Sequence, residues 1–265
     1  MHVFLSPHLD DAVLSCGGLI HQLTHSGQPV LVITVLAGDA PAALPQTELI
    51  NHLHHKWDVG SSPYEARRKE DIAALQTLDA QWKHMPLLDA PYRVGKNGDA
   101  LYAKQASLFG DLHPDDPVLT ANIDIPAAAE MVYAPMGAGG HVDHLAVNHL
   151  AQRLPDALRV VYYEEFPYSS EGDEIRHARR EGVDQRYGSA AVQTALRGFP
   201  TQMEPELIAL SDEDLMAKID AIRCYRSQLG TFWNNEAEME AGVRRYARQV
   251  AANGAERLWI QGETK

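Results

Sequence analysis

Cysteine is scarce: Cys16 and Cys224 are the chain's two. They lie far apart and outside any CxxC pair, which excludes a disulfide framework and fits a reducing compartment. No apolar stretch approaches the roughly 20 residues needed to cross a bilayer. The opening segment, Met1-His2-Val3-Phe4-Leu5-Ser6-Pro7, lacks a basic region followed by an apolar segment of signal-peptide length. A cytoplasmic location is therefore the expectation. Basic residues are short too, 23 against 36 acidic, for a net charge of −13. Such a surface repels phosphate backbones and argues against a nucleic-acid partner. There is no internal repeat, no low-complexity tract and no clear linker. A single domain over 1–265 is expected, and a homo-oligomer is compatible with it.

What is present suits an ordinary core. The 265 residues are 45% hydrophobic, enough for one α/β domain. Strand-like runs appear at His2–Ser6, Pro29–Leu36, Trp82–Leu88, Met131–Pro135 and Leu158–Glu164. Pro29–Leu36 (PVLVITVL) is the β-branched, apolar type found in buried parallel strands. Helical segments are expected over Ala12–Gly27, from a Ser62-Pro63-Tyr64-Glu65 start to about Leu78, and over about His141–Arg153. This alternation predicts a Rossmann-like, mostly parallel sheet with helices on both faces, a three-layer α/β/α fold. Asp89–Asn122 reads as a long connection, and Phe166–Gln202 as a lid or active-site loop. A strand at Glu206–Leu210, a capped helix from Ser211 to about Gln228, a helix at about Glu236–Asn253 and a strand at Arg257–Ile260 complete the chain.

With so little cysteine, any metal site must use carboxylates and some of the 13 histidines. Two clusters stand out. His8-Leu9-Asp10-Asp11 follows the first strand, where open parallel sheets bind ligands. The two adjacent carboxylates point in different directions, so one can bind a metal with His8 while the other faces the open coordination position. The bland alternative is a helix cap, since Asp suits a first turn. Taken alone, the cluster leaves the two readings even. The second cluster is Gly139-Gly140-His141-Val142-Asp143-His144, after the fourth strand. Its histidines share one helical face, and Asp143 is placed to fix an imidazole. Either cluster alone is commonplace. Together, at two strand ends of one sheet, they give His8, Asp11 and one histidine of the pair as a three-ligand site with a free position for water.

The two motifs resemble those of the LmbE-like (PIG-L) deacetylase family, whose first motif, P-H-x-D-D, stands here as Pro7-His8-Leu9-Asp10-Asp11. The second stands as His141-Val142-Asp143-His144. A weaker likeness extends to Arg67-Arg68-Lys69-Glu70 and Tyr225-Arg226-Ser227-Gln228. The resemblance implies one Zn²⁺ per chain on His8, Asp11 and His144, with Asp10 as general base. It implies that His141, tuned by Asp143, steadies the oxyanion as an imidazolium, and that His141 or the newly protonated Asp10 protonates the departing nitrogen. Arg67 matches a substrate-binding arginine, set against a helix-surface ion pair with Asp71. Asp89 matches a sugar-hydroxyl contact. Relatives often carry Glu soon after the Asp pair. Ala12 stands here, so any support such a Glu gives must come from another group.

The implied activity is hydrolysis of an N-acetyl group on a small-molecule sugar or glycoside of the N-acetylglucosamine type. Two rivals are an amidase of the same family taking a bulkier amide, its pocket shaped by Tyr92, Arg93 and Phe166–Gln202, and a non-catalytic zinc or sugar binder. Intact Asp10 and His141 argue against the binder. Cys16-Gly17-Gly18 lacks the GxGxxG of a dinucleotide site.

Overall fold

The computed structural model describes residues 1–51, 63–172 and 187–262. Seven strands form one sheet in the order β3-β2-β1-β4-β5-β7-β6: β1 His2–Ser6, β2 Val30–Thr34, β3 Gln81–His84, β4 Met131–Pro135, β5 Arg159–Tyr163, β6 Met203–Ala209 and β7 Ala255–Gln261. The first five are parallel, while β7 runs antiparallel to both β5 and β6. The longer helices among the described residues are α1 Asp11–His25, α2 Pro63–Thr77, α3 Val142–Ala151, α4 Gly188–Leu196, α5 Asp212–Ile222, α6 Arg226–Phe232 and α7 Glu236–Val250.

Strand residues alternate between two cores, as a period of two requires. Phe4, Val30, Val32, Tyr133 and Tyr163 pack under α1, α2, α5 and α7. Val3, Leu5, Leu31, Ile33 and Ala134 pack under α3 and α4. Both faces of β1, β2 and β4 are thus covered, which is why these strands read as continuous apolar runs, whereas β3 at the edge is polar and mostly exposed. The strand order turns around between β1 and β4, the place where open parallel sheets form a crevice beyond the carboxyl ends.

Three expectations change in detail. The third strand ends at His84, after which Leu36 and Pro86 make only an isolated antiparallel bridge. The helix expected from Ser211 to Gln228 divides into α5 and α6. The break lets the Tyr225 hydroxyl reach Asp71 at 2.8 Å and lets Glu70 accept from both the backbone and the hydroxyl of Ser227. Within Phe166–Gln202, the structure has a helix, α4. Ser62, the expected cap of α2, and residues 173–186 of the expected lid lie outside the described residues.

The middle of α1 is engaged from outside the helix. Glu256 on β7 accepts from Gly18 N at 3.0 Å and Leu19 N at 2.9 Å. Lys218 on α5 donates to Ser15 O at 3.1 Å and to Glu256 at 2.7 Å. A Cβ at Gly18 would lie 2.7 Å from Leu210 Cδ2 and 3.2 Å from the Glu256 carboxylate, so glycine is what admits this approach. Among the described residues, no helix is long and apolar enough to cross a membrane.

Candidate active site

The turn from β1 into α1 leaves its carboxylates available for chemistry. Asp10 is the residue before α1 but makes no side-chain cap. Ser6 Oγ does that work, accepting from Ala12 N at 3.0 Å. Asp11 Oδ2 accepts from His8 N at 2.8 Å and lies 3.0 Å from His8 Nδ1. Asp11, on which the capping alternative rested, stands in the first turn of α1, but its carboxylate turns back to His8 rather than onto the amides of the helix.

On the β4 side, Gly137–Gly140 turns the chain into α3. Gly139 has φ +87°, and a Cβ there would strike the Tyr168 ring at 2.5 Å, so the turn is closed to other residues. His141 precedes α3, and its Nδ1 accepts from Asp143 N at 3.2 Å. The ring proton is thereby placed on Nε2. Burial, with His8 and His144 adding to it, pushes His141 down to about 3, against the opposing pull of Asp143. Burial thus favours the neutral ring near neutral pH, against the imidazolium that the resemblance implies.

His8, Asp11 and His144 meet in the crevice, one ligand atom of each within 4.8 Å of the others. His144 Nε2 lies 3.3 Å from Asp11 Oδ2, yet both of its buried nitrogens lack a hydrogen-bonding partner among the described residues. A buried imidazole with an unused lone pair, beside a carboxylate and a second imidazole, fits a metal ion. The charge agrees. Burial opposes the charged form of His8, but Asp89, Asp11 and Asp143 around it hold its pKa well above the ordinary value. The crevice is a cation's environment.

Each ligand is held from behind. His8 Nε2 lies 2.9 Å from Asp143 Oδ2 and 3.4 Å from Asp89 Oδ1. Asp143 in turn accepts from Ala90 N at 3.1 Å and from the Arg93 guanidinium. Sequence reasoning missed Glu165. Its oxygens accept from Gly137 N at 2.6 Å and Ala138 N at 3.0 Å, and Oε1 lies 3.4 Å from His144 Nδ1. Glu165 thus fixes the glycine turn and sets a carboxylate behind a candidate ligand, where metal-binding histidines commonly have one. Arg93, expected to shape the pocket, is instead 1% exposed and bridges Asp143 and Asp116.

Asp10 faces a different task. Burial and the neighbouring Asp11 raise its carboxyl to about 6, although Arg67 and His8 pull it down. Arg67 is buried on α2, its Nη2 4.0 Å from Asp10 Oδ2. Asp71, offered above as its surface partner, is itself buried, bonded to Tyr225 and 2.8 Å from His84. Asp89 accepts from the Tyr64 hydroxyl at 2.8 Å. The fold thus brings all eight sequence-derived residues to one crevice.

The profile described as GlcNAc-PI de-N-acetylase, PIG-L, matches residues 3–154. The chain belongs to this family. The 2'-N-acetylparomamine deacetylase of Niallia circulans is 28% identical over 259 residues, spanning 90% of this chain and 92% of that protein. The zinc-inhibited form of teicoplanin deacetylase Orf2 superposes at a TM-score of 0.73 with 26% identity, over 100% of this chain and 99% of that one. The A40926 pseudoaglycone deacetylase Dbv21 gives 0.70 at 25% identity, over 100% and 98%. The chain is accordingly an N-deacetylase of the PIG-L family. All eight candidate residues fall inside the matched segment, and Glu165 falls outside it.

Proposed function

We propose that the chain is a zinc-dependent hydrolase that removes the acetyl group from an N-acetylated amino sugar within a glycoside, releasing acetate and a free amine. The observation that carries this reading is the different setting of two adjacent aspartates. Asp11 lies with His8 and His144 in a group able to hold a metal ion, while Asp10 stands beside it with a carboxyl raised to about 6. A pure binder has no use for such a base.

Zinc on His8, Asp11 and His144 would supply Lewis acidity towards water and the amide carbonyl. Asp10, once ionised, takes a proton from the attacking water, and the water oxygen forms a bond to the carbonyl carbon. His141 offers Nε2–H to the oxygen that gains charge, a donor already oriented by Asp143 N. An amine leaves poorly unless protonated, so Asp10, now carrying the proton, returns it to nitrogen as the C–N bond breaks. We assign Arg67 and Asp89, on two sides of His8 and Asp10, to holding the sugar. The named substrates of the relatives, an aminoglycoside and glycopeptides, support an acetylated amino sugar on a larger scaffold.

The test is amine release from N-acetylglucosamine, chitobiose, N-acetylated aminoglycosides and longer-chain N-acyl glycosides, before and after chelation. Turnover of the acetylated glycosides that disappears with the metal and returns with zinc is the expected result. Undiminished turnover after complete chelation, or a preference for long acyl chains, would overturn the reading.

A further inference from the structure

A second cluster of metal-ligating side chains lies outside the crevice, on the outer half of α1. His21 and His25 are four residues apart, so both rings project from one face of the helix. The rings stack, with centroids 5.5 Å apart and planes at 24°. Glu213, in the first turn of α5, brings a carboxylate to the same place. One ligand atom from each of the three lies within 4.8 Å of the others. Two imidazoles at this spacing on a helix form a chelating pair for zinc-like ions, and a carboxylate completes a His₂-carboxylate set.

A separate observation points to a ligand. His21 Nδ1 lies 2.8 Å from Asp214 Oδ1. Asp214 is itself fixed, accepting from Ser211 N and from Gln22 Nε2, each at 2.8 Å. With Asp214 as acceptor, His21 donates its Nδ1–H and keeps the Nε2 lone pair for an ion. This is the carboxylate–histidine support that metal-binding imidazoles commonly receive. The same contacts hold α1 against α5, so the three donors belong to surfaces already locked together.

We propose that His21, His25 and Glu213 form an accessory divalent-metal site, selective for borderline ions such as Zn²⁺, that fastens α1 to α5. Two imidazoles select against magnesium and calcium, which prefer oxygen ligands. Water completes the coordination sphere, since two of the donors are solvent-exposed. The net charge of −13 favours a cation at the surface. The site fastens the helix whose other end begins at Asp11, without touching the crevice. Its presence is independent of the catalytic reading.

The experiment titrates Zn²⁺ into metal-depleted full-length protein against a competing chromophoric chelator, with wild type and His25→Ala compared directly. The wild type should bind one more tight equivalent than the variant, whatever the crevice itself holds. Circular dichroism should show the variant folded, because His25 is exposed, and its turnover at saturating zinc should match wild type. Glu213→Gln should keep the extra equivalent but weaken it by about tenfold or more, the loss typical of disturbed metal support. Added Zn²⁺ should raise the unfolding temperature of wild type more than that of His25→Ala, because an ion that binds only the folded state stabilises it. Equal stoichiometry in wild type and His25→Ala overturns the proposal. So does an equal thermal shift, or extra-equivalent affinity in Glu213→Gln indistinguishable from wild type.

Discussion

Asp143 Oδ2 lies 2.9 Å from His8 Nε2 but 3.9 Å from His141 Nδ1, so the imidazole it orients is that of the candidate ligand. With Arg93 on its other oxygen, Asp143 couples the crevice to a buried cation. Asp143→Asn should weaken zinc binding by about 10–100-fold, as loss of such support does. It should also lower stability by about 3 kcal/mol, because the buried Arg93 then keeps one carboxylate, Asp116, beside the Leu88 carbonyl. Chelator competition and urea unfolding read the two effects separately. Wild-type zinc affinity in the variant would detach Asp143 from the ligand.

The two aspartates of the first motif should separate cleanly. Asp10→Asn keeps the ligand set and loses the base, so zinc stays near one equivalent while kcat falls by about 10²–10⁴-fold. Asp11→Asn removes a ligand, so zinc content itself drops. Metal analysis of both variants beside their turnover decides the matter, and metal lost with Asp10 rather than Asp11 would reverse the assignment.

Activity should fall on the acid side of about pH 6, where Asp10 becomes protonated. The sign follows from its role. A base works only when ionised, and burial with Asp11 has raised the pH at which that occurs. Arg67 acts in the opposite direction, favouring the charged form. Arg67→Met should therefore move the acid limb of kcat/KM to higher pH. A limb that stays put or moves down would remove Asp10 as its source.

His141→Ala should cost about 10²–10³-fold in kcat, the usual loss for one oxyanion donor, with zinc retained. Because burial keeps the ring neutral, with a pKa of about 3, any alkaline limb should remain where wild type has it. A limb displaced by the substitution would show that His141 works as an imidazolium after all.

The sheet and its crevice were legible because buried parallel strands are written as β-branched runs and the ligand clusters follow two of them directly. Glu165 was not. It follows Glu164 at the end of β5, and alternation says only that the two face opposite ways. Glu164 meets Tyr246, Trp259 and Arg257, whereas Glu165 meets the glycine turn and His144. Which face holds the crevice depends on the other strands. Arg93 misled for a related reason: nothing local announces that an arginine will be enclosed between Asp143 and Asp116, contributed from 50 residues and 23 residues further along. The break between α5 and α6 was also hidden, since Tyr225 and Ser227 take their partners from α2.

The carboxylate of Glu256 has a consequence for the order in which the chain can fold. It satisfies two amides of α1, the helix that begins at Asp11, from 238 and 237 residues further along. Contacts between residues so far apart in sequence carry a large loop-closure cost and form late. Until β7 pairs, Lys218 lacks its anion and the glycine-lined flank of α1 lacks its cover. The seating of the first helix therefore waits on β7, and with it the turn that carries Asp10 and Asp11.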